Sequence, residues 1–360
     1  MKKFRLLLII LAVFITQILV INYLLNHLII NDSSNYHYFF KWLSYFQRIL
    51  FRKIPFSVGD VFYMLVIFYI FYQFLKCVKN LKKNTISFVI KFLSIAIILE
   101  FCFYVFWGFN YARKPLKDTL NLDTKSIVSD DLIALNKTLV AKVNELQNNL
   151  SQSDSIKVST PLSKRKILII SSISYNELAK RWPNFKNTKP SIKFSMFSLP
   201  LSYMGYSGYY NPFSGEAQVN SKIVKPYIPF TACHELAHQI GYAAEQEANF
   251  MGYLACINSK DLFVQYSGYL VALSYTLSNL QKIDKVQYQI LLNEINKGVL
   301  KNYKENYTFW KAHQNPSMKI FESVYDSFLK ANKQAKGIKS YYGIVKLIIA
   351  YHKIYPLKKS

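Results

Sequence analysis

Residues 234–249 read HELAHQIGYAAEQEAN, and this stretch sets the local architecture of the second half of the chain. Histidine recurs after four residues, so His234 and His238 would lie on one face of a helix. Gly241 suits a left-handed helix end, after which the chain can turn into another helix. The stretch therefore predicts two consecutive helices joined by a tight turn.

The histidine pair also indicates chemistry. Two imidazoles one helical turn apart can bind one metal ion. Glu235 would point beside the pair, where its carboxylate can take a proton from water without itself binding the metal. This arrangement predicts a metal centre with His234 and His238 as ligands and Glu235 as the general base.

A third ligand is expected from the second helix. Glu245 and Glu247 both qualify, but residues two apart on a helix point about 200° away from each other, so only one can face the metal. Asn249 follows Glu245 by one turn, where its amide can hydrogen-bond a ligand histidine and fix the ring tautomer. We therefore predict Glu245 as the third ligand of a Zn²⁺ ion with an open fourth position. Glu247 would then be a surface or salt-bridged residue.

The amino-terminal part of the chain is strongly apolar. Hydrophobic residues make up 51% of the sequence and charged residues only 18%, so part of the chain is expected to lie in lipid. Residues 6–30, 54–75 and 86–109 are each long enough to cross a bilayer as a helix. A signal peptide is the alternative for the first segment because basic residues precede it, but no small-residue cleavage site follows.

These spans predict two domains. Residues 1–112 would form a membrane domain with three transmembrane helices, and residues 113–360 would form the domain that carries the metal centre. Glu100 lies in the middle of the third span, where an ionisable group is costly and needs a partner or a wet cavity. A structural pairing or protonation would account for it.

The charge balance suits an anionic partner, but a generally basic proteome or envelope is the simpler explanation. Lys and Arg number 45 against 20 Asp and Glu, a formal net charge of +25 that suits an anionic lipid surface or an acidic polymer. No zinc-finger spacing or RNA-binding signature accompanies this charge, so a nucleic-acid partner is not expected. Basic residues flank both sides of the spans equally, which leaves the topology open. With the amino terminus inside, everything after Trp107 would be extracytoplasmic, and we favour this arrangement.

The remaining sequence predicts a mostly helical α+β fold. Ser129 precedes two aspartates and then leucines spaced three and four residues apart, as in a capped amphipathic helix. A serine-rich loop follows, and residues 167–170 and 192–197 resemble short strands. Residues 209–220 predict a hairpin, and from Pro229 onward the pattern is helical almost to the end.

The cysteines do not build a disulfide framework. Only four are present, and Cys233 and Cys256 flank the histidine motif. These two could pair if the domain lies outside the cytoplasm. Buried free thiols are the alternative, because cysteine packs well as a small apolar residue.

At the metal centre the sequence resembles the gluzincin zinc metallopeptidases, which share a HExxH helix and a following helix with an ExxxD-type motif. Residues 245–249 are similar to the ExxAD motif of the CAAX-type and HtpX-like membrane proteases. Asn249 replaces the usual aspartate, and the two motifs lie closer together than in those proteases. The asparagine would still orient a histidine but would make the imidazole less basic.

The chain as a whole resembles an uncharacterised bacterial membrane family, a domain of unknown function with three amino-terminal spans and a gluzincin-like domain. This likeness rests on the histidine motif and on residues 107–113, 208–217 and 325–330. It implies an integral protein of the bacterial inner membrane. Because the family has no defined substrate, the resemblance implies an architecture and a site but neither a substrate nor a physiological role.

The gluzincin resemblance also implies how a substrate would bind. An edge strand before the HExxH helix would pair with an extended peptide, and here that strand would involve Tyr209, Tyr210, Glu216 and Ala217. An ordinary hairpin is the alternative. A donor that stabilises the oxyanion is also expected, and Tyr209, Tyr210, His313 or Tyr341 could provide it.

These patterns support three functions. The first is a zinc metalloendopeptidase that hydrolyses peptides or proteins at the membrane. The second is a metal-binding membrane scaffold or sensor without turnover, which the asparagine at 249 would suit. The third, an enzyme acting on acidic envelope polymers, rests only on the net charge.

Overall fold

The computed structural model describes residues 2–28, 30, 34–334 and 343–357. Three of its helices are long and apolar enough to cross a membrane, namely α1 (Lys2–His27), α3 (Val58–Val78) and α4 (Leu81–Phe106). The prediction of three amino-terminal spans is thereby confirmed. The second span begins four residues later than expected because the Ser57 hydroxyl caps it, accepting the Asp60 N–H at 2.9 Å.

A helix that the sequence patterns did not reveal connects the first and second spans. This helix, α2 (Asn35–Phe51), begins after Ser34, whose hydroxyl accepts the His37 N–H at 3.3 Å. One face of α2 is buried against the carboxyl-terminal domain, while the opposite face exposes aromatic and aliphatic side chains. The pattern of α2 is inverted: its buried face carries mainly polar residues (His37, Ser44, Gln47 and Arg48), and its apolar side chains face outward, so it does not match the usual pattern of an apolar stripe facing the core.

The rest of the chain is helical around one small sheet, which confirms the mostly helical α+β class. Its helices are α5 (Leu116–Thr119), α6 (Ser129–Ser151), α7 (Lys164–Arg181), α8 (Ser198–Met204), α9 (Ile228–Gln239), α10 (Glu245–Ile257), α11 (Leu262–Ile283), α12 (Lys285–Glu294), α13 (Lys297–Ala312), α14 (Met318–Ala331) and α15 (Gly343–Ile354). The predicted helix at Ser129 is confirmed as α6, which starts where the Asp131 carboxylate accepts the Val128 N–H.

The sheet contains β1 (Ile192–Phe194), β2 (Gly208–Asn211) and β3 (Glu216–Val219) in the order β1-β3-β2. Strand β3 is central, parallel to β1 and antiparallel to β2, with Tyr210 opposite Ala217. The hairpin and the strand beginning at Ile192 are therefore confirmed. The strand predicted at residues 167–170 is wrong, because this apolar run lies inside α7 and buries Ile167 and Leu168 there. A short apolar run has no periodicity that separates a strand from a buried helix segment.

Helix α9 lies at the centre of the carboxyl-terminal domain. Every one of its residues except His234 is buried, and it packs against α7, α10 and the hairpin. Helices α9 and α10 approach closely at Gly252, where a Cβ atom would lie 3.1 Å from the His234 backbone nitrogen. Cys233 and Cys256 are both free and buried in this packing. The core therefore holds the two helices of the metal motif in contact.

Several polar contacts cross the predicted boundary at residue 112. At the start of α3, the Asp60 carboxylate accepts the Met196 N–H at 2.6 Å, and the Glu216 carboxylate accepts the Gly59 N–H at 2.8 Å. Lys193 forms a buried ion pair with Glu216 and also donates to the backbone carbonyl of Phe56 at 2.7 Å. The division into two domains stays a prediction, and these bonds join its two parts at the sheet.

The ionisable group inside the third span has a partner. The Gln17 amide of α1 donates to the Glu100 carboxylate at 3.0 Å and to the carbonyl of Ile97 at 3.1 Å. A hydrogen bond within the apolar region lowers the cost of burying the carboxyl group there. This contact agrees with the structural pairing expected from the sequence and links the first and third spans.

Candidate metal centre

The predicted ligands come together at the junction of α9 and α10. The Nε2 atoms of His234 and His238 lie 3.1 Å apart. From α10, Glu245 places Oε2 at 3.3 Å from His234 Nε2 and Oε1 at 3.6 Å from His238 Nε2. Helix α9 supplies the histidine pair, and the turn at Gly241, with φ of 90°, brings the glutamate back to it.

These separations fit a single metal ion. Tetrahedral zinc holds nitrogen and oxygen ligands at about 2.0–2.2 Å, which places the ligand atoms roughly 3.3 Å from one another. The three measured separations, 3.1, 3.3 and 3.6 Å, bracket that value. Glu235 forms a second possible set with the same two histidines, because its carboxylate and the two imidazoles offer atoms within 4.8 Å of one another. Two imidazoles and a carboxylate suit a divalent transition metal such as Zn²⁺.

The backbone around the turn orients His238. Its Nδ1 lies 2.7 Å from the carbonyl oxygen of Tyr242, which can only accept, so Nδ1 carries the proton and Nε2 keeps its lone pair. Trp107 donates its indole N–H to the His238 carbonyl at 2.9 Å and presents its ring edge to the imidazole. Burial lowers the pKa of His238 to about 4, so the ring is neutral at physiological pH.

His234 is held less completely. Its Nδ1 is buried and has no hydrogen-bond partner among the described residues, and the same is true of Asn249 Nδ2. Burial alone would lower the pKa of His234, but the hydrogen bond to Glu245 and the charge of Glu235 raise it, with a smaller contribution from Asn249. Asn249 therefore lies near His234 without a complete set of hydrogen bonds, and its role in orienting that ring stays a prediction.

The two carboxyl groups at the centre differ in their protonation. Burial raises the pKa of Glu245, but the electrostatic interactions with His238 and His234 and the hydrogen bond with His234 outweigh burial and lower the pKa to about 2. The Tyr325 hydroxyl adds a hydrogen bond to Glu245 Oε1 at 2.6 Å. Burial instead raises the pKa of Glu235 to about 8, and its Oε2 has no partner among the described residues. The site thus pairs an ionised ligand with a carboxyl group that can exchange a proton near neutral pH.

Glu247 occupies a different environment. It points away from the histidines and accepts the backbone N–H of Leu116 at 2.7 Å. Only 7% of Glu247 is exposed, so the expectation that it is a surface residue is wrong. Burial raises the pKa of Glu247 to about 7. Its role is to fix the chain after the third span onto α10, a long-range contact that local spacing could not predict.

Strand β2 borders the site, whereas β3 does not form an edge. At Gly208 a Cβ atom would lie 2.7 Å from Glu235 Oε1 and 2.6 Å from the carbonyl oxygen of Gln218, so only glycine fits there. Glu216 and Ala217 belong to the central strand and are fully buried, which corrects their prediction as edge-strand residues. Among these residues, only those of β2 lie at an edge of the sheet, where an extended peptide could pair with the backbone.

Two of the four predicted oxyanion donors, Tyr209 and His313, already have hydrogen-bond contacts. The Tyr209 hydroxyl donates to Asp60, whereas the buried Tyr210 hydroxyl has no hydrogen-bond partner among the described residues and its ring lies 5.6 Å from that of Trp107. His313 Nδ1 lies 2.8 Å from the carbonyl oxygen of Phe309, at the end of α13. Tyr341 lies outside the described residues.

The structure brings Tyr325 of α14 to the site, and the sequence patterns gave it no role. Its hydroxyl reaches Glu245, and its ring packs edge-on against Tyr206. The available signal was the run at residues 325–330, which had been noted only as part of a family likeness. A tyrosine so far from the histidine motif in sequence cannot be assigned to it by spacing.

A cavity of about 1060 Å³ joins the metal centre to the membrane helices. On one side it is lined by His234, Glu235 and Glu245. Its other walls come from the spans, from α8 and β2, and from α14, with the lining residues Tyr63, Val66, Ile67, Phe103, Leu201, Met204, Gly208, Met318, Tyr325 and Phe328 among them. A ligand in this cavity would meet apolar side chains of α3 and α4 as well as the ionisable groups.

Comparison with known proteins places the chain in a family. Residues 36–349 match the family described as "Protein of unknown function (DUF3810)". No curated protein and no solved structure gives a match. The matched region begins in α2 and extends into α15, so it includes two of the three candidate membrane helices and the whole metal centre. The chain therefore belongs to the DUF3810 family of unknown function. This agrees with the predicted membership in a family that is a domain of unknown function.

Proposed function

We propose that this protein is a membrane-bound zinc metalloendopeptidase that hydrolyses peptide or protein substrates. The observation that supports this most directly is the placement of His234, His238 and Glu245 at mutual distances suited to one metal ion, with Glu235 beside them. Two histidines and a glutamate with an open fourth position are a common ligand set of catalytic zinc.

A bound Zn²⁺ would supply Lewis acidity, polarising the peptide carbonyl and lowering the pKa of a water molecule toward neutrality. The residues of the chain would do the rest. Glu235 would accept the proton from that water and deliver it to the leaving amine, since its Oε2 has no hydrogen-bond partner among the described residues. Tyr325 would hold the Glu245 carboxylate through its hydroxyl.

The substrate would bind in the cavity beside β2. Strand β2 lies at the edge of the sheet and passes directly next to Glu235 at Gly208. An extended peptide could add to this edge through backbone hydrogen bonds, which would place its scissile bond near the carboxyl group. The absence of a Cβ at Gly208 keeps the strand close to Glu235.

We further propose that the domain lies outside the cytoplasm of a bacterial inner membrane. The end of α1, the start of α3 and the end of α4 all contact the carboxyl-terminal domain. These three helix ends therefore lie on the same side of the membrane. An amino terminus inside the cell would place that side outside. Alkaline phosphatase fused after residue 357 should be active in the periplasm, whereas cytoplasmic activity of the fusion would contradict this topology.

One observation favours a second function, a metal-binding scaffold or sensor without turnover. Asn249 stands where the proteases that the sequence resembles carry a carboxylate, and His234 Nδ1 has no hydrogen-bond partner among the residues described. A carboxylate there would raise the basicity of the imidazole, and an amide does so less. In this alternative the metal would hold α9 and α10 together without catalysing hydrolysis.

Metal analysis and hydrolysis assays separate these functions. The purified full-length protein should contain one zinc ion per chain, Glu245→Ala should lose it, and Glu247→Ala should retain it as the matched control. Glu235→Gln should keep the metal but lower cleavage of unfolded casein by about 10²–10⁴-fold. Zinc without cleavage by the wild type would support the scaffold. Protein that binds no stoichiometric zinc would contradict both functions.

A further inference from the structure

Helix α2 has two faces of opposite environment. Phe40, Ser44, Gln47 and Arg48 are buried against the domain. At about 100° per residue, the large exposed side chains cluster within an arc of roughly 120° on the opposite face. They are Tyr38, Phe39, Trp42, Phe46, Ile49 and Leu50. Trp42 is 62% exposed and stacks on Phe46, which is 47% exposed. An apolar stripe of this size is rare on a water-exposed surface and marks a site that contacts another molecule or a membrane.

The position of α2 identifies what covers this stripe. The helix joins the end of α1 to the start of α3, both candidate membrane spans whose outward side chains are also exposed and apolar. Its exposed stripe therefore continues the lipid-facing surface of those spans. Helix α2 has only 17 residues and does not count among the spans. A short helix with one apolar face in this position is typical of helices that lie in the membrane surface.

Charge points to the same environment. Lys41, Arg52 and Lys53 are exposed on or directly after α2, where they can reach anionic lipid headgroups. Trp42 and Tyr38 suit the boundary between the headgroups and the acyl chains, because their rings are apolar with a polar edge. Together the stripe and its basic neighbours match an anionic bilayer surface.

We propose that α2 lies in the plane of the bilayer, with its aromatic stripe among the lipids and its other face against the metal-binding domain. The buried face holds the parts of the domain that surround the site. Ser44 donates to the carbonyl of Gln239, the last residue of α9, at 3.1 Å. Gln47 donates to the carbonyl of Pro212 at 2.9 Å, at the turn after β2. The helix thus docks the carboxyl end of α9 and the β2 hairpin on the membrane surface.

Spin labels can test this placement. The full chain carrying Cys102→Ala, which removes the one partly exposed native cysteine, would receive Phe46→Cys and be labelled with a nitroxide in vesicles of phosphatidylglycerol and phosphatidylethanolamine. Collisions with oxygen, which concentrates in lipid, should exceed collisions with a water-soluble nickel chelate several-fold. The matched control is Val286→Cys, an exposed apolar position on α12, which packs on α6 and α11. There the nickel chelate should dominate.

Two results would overturn the proposal. One is a label at position 46 that prefers the nickel chelate, because the stripe would then lie in water. The other is spin–spin broadening that disappears on dilution with unlabelled protein, because a second copy would then cover the stripe. Leu50→Cys provides a second label site on the same face if Phe46→Cys does not fold. This experiment requires neither bound metal nor hydrolysis, so its result is independent of the proposed enzymatic function.

Discussion

At the scale of single residues, the proposed metal centre depends on groups that touch its candidate ligands. The Tyr242 carbonyl fixes the tautomer of His238, and the Tyr325 hydroxyl fixes one oxygen of Glu245. Residues that orient ligands in this way commonly contribute as much to metal affinity as a weak ligand does. The tyrosine is therefore the most informative position to change without removing a ligand.

Tyr325→Phe should lower zinc affinity by about 10–100-fold, because Glu245 loses the donor that holds its carboxylate. Competition with a fluorescent zinc chelator would measure the change. The control is Tyr307→Phe, which removes a hydroxyl from an exposed tyrosine on α13 and should leave zinc affinity unaltered. Equal affinities in Tyr325→Phe and the wild type would show that the hydroxyl does not support the ligand.

A second residue-scale effect concerns His352 on α15. The Tyr253 hydroxyl lies 2.6 Å from its Nε2, and burial lowers the pKa of His352 to about 4. A histidine is protonated more readily in the unfolded chain, with a pKa of about 6.5. The stability that the neutral ring contributes is thus complete above pH 6.5 and is lost as the pH falls toward 4. The loss amounts to at most about 3 kcal/mol.

The corresponding experiment compares the wild type with His352→Gln in thermal unfolding at pH 7.5 and pH 5. The melting temperature of the wild type should fall more than that of the variant over this interval. The difference between the two falls in melting temperature reports on His352 alone, because the titration of all other groups contributes equally to both proteins. An identical fall in both would contradict the assignment to His352.

At the scale of secondary-structure elements, the contact of α9 with α10 positions the ligands. Gly252 allows this contact, since a Cβ there would press on the backbone of His234. Two effects oppose each other when Gly252 becomes alanine. Alanine favours the helix by up to about 1 kcal/mol, whereas overpacking a close helix contact costs about 1–3 kcal/mol.

We expect overpacking to prevail because the neighbouring atoms are backbone atoms that cannot move aside. Gly252→Ala should lower the free energy of unfolding by about 1–2 kcal/mol, and Gly252→Val should lower it further. Both substitutions should also weaken zinc binding, because α10 carries Glu245. Stabilisation by alanine, measured by urea unfolding in detergent, would instead show that the two helices can separate without loss.

The connection after the third span is a second contact at this scale. Glu247 accepts the buried N–H of Leu116, so its removal leaves that donor unpaired. Glu247→Ala should cost about 1–3 kcal/mol of stability, while Glu247→Gln, which keeps an acceptor oxygen, should cost less. Urea unfolding of both variants measures the difference. Equal losses would indicate that packing, and not the hydrogen bond, connects the segment to α10.

At the scale of the whole molecule, a buried polar network joins the membrane spans to the sheet beside the site. Lys193 and Glu216 pair within it, and Glu216 also accepts the Gly59 N–H at the start of α3. Asp60 binds the chain after β1 and the Tyr209 hydroxyl of β2. The edge strand next to Glu235 is thus held directly by a membrane helix.

Breaking this pair should be costly, because the remaining charge would be buried alone. Lys193→Met should destabilise the protein by about 3–5 kcal/mol, and the double variant Lys193→Met, Glu216→Leu should recover part of that loss. Thermal unfolding in detergent, followed by circular dichroism, would measure both. A double variant as unstable as the sum of its single variants would show that the two charges act independently.

Local patterns in the sequence were enough to predict the three spans, the hairpin, and the two helices that carry His234, His238 and Glu245. These features follow from hydrophobic length, from helical spacing and from a glycine at the turn, all of which act over a few residues. The helices and strands that were predicted correctly are therefore those determined by interactions between residues close in sequence. The choice of Glu245 over Glu247 also began as a local argument from helix geometry.

Long-range packing alone brought the remaining features together. Tyr325 meets Glu245 across 80 residues of sequence, and Asp60 meets Tyr209 across 149. The short apolar run at residues 167–170 is part of helix α7, where neighbouring elements bury it. Strand β3 is central because β1 and β2 pair with it on its two sides. Such contacts depend on how whole helices and strands pack against one another. The energy of this packing is distributed over many side chains, so the residue spacing within one segment cannot predict the contacts.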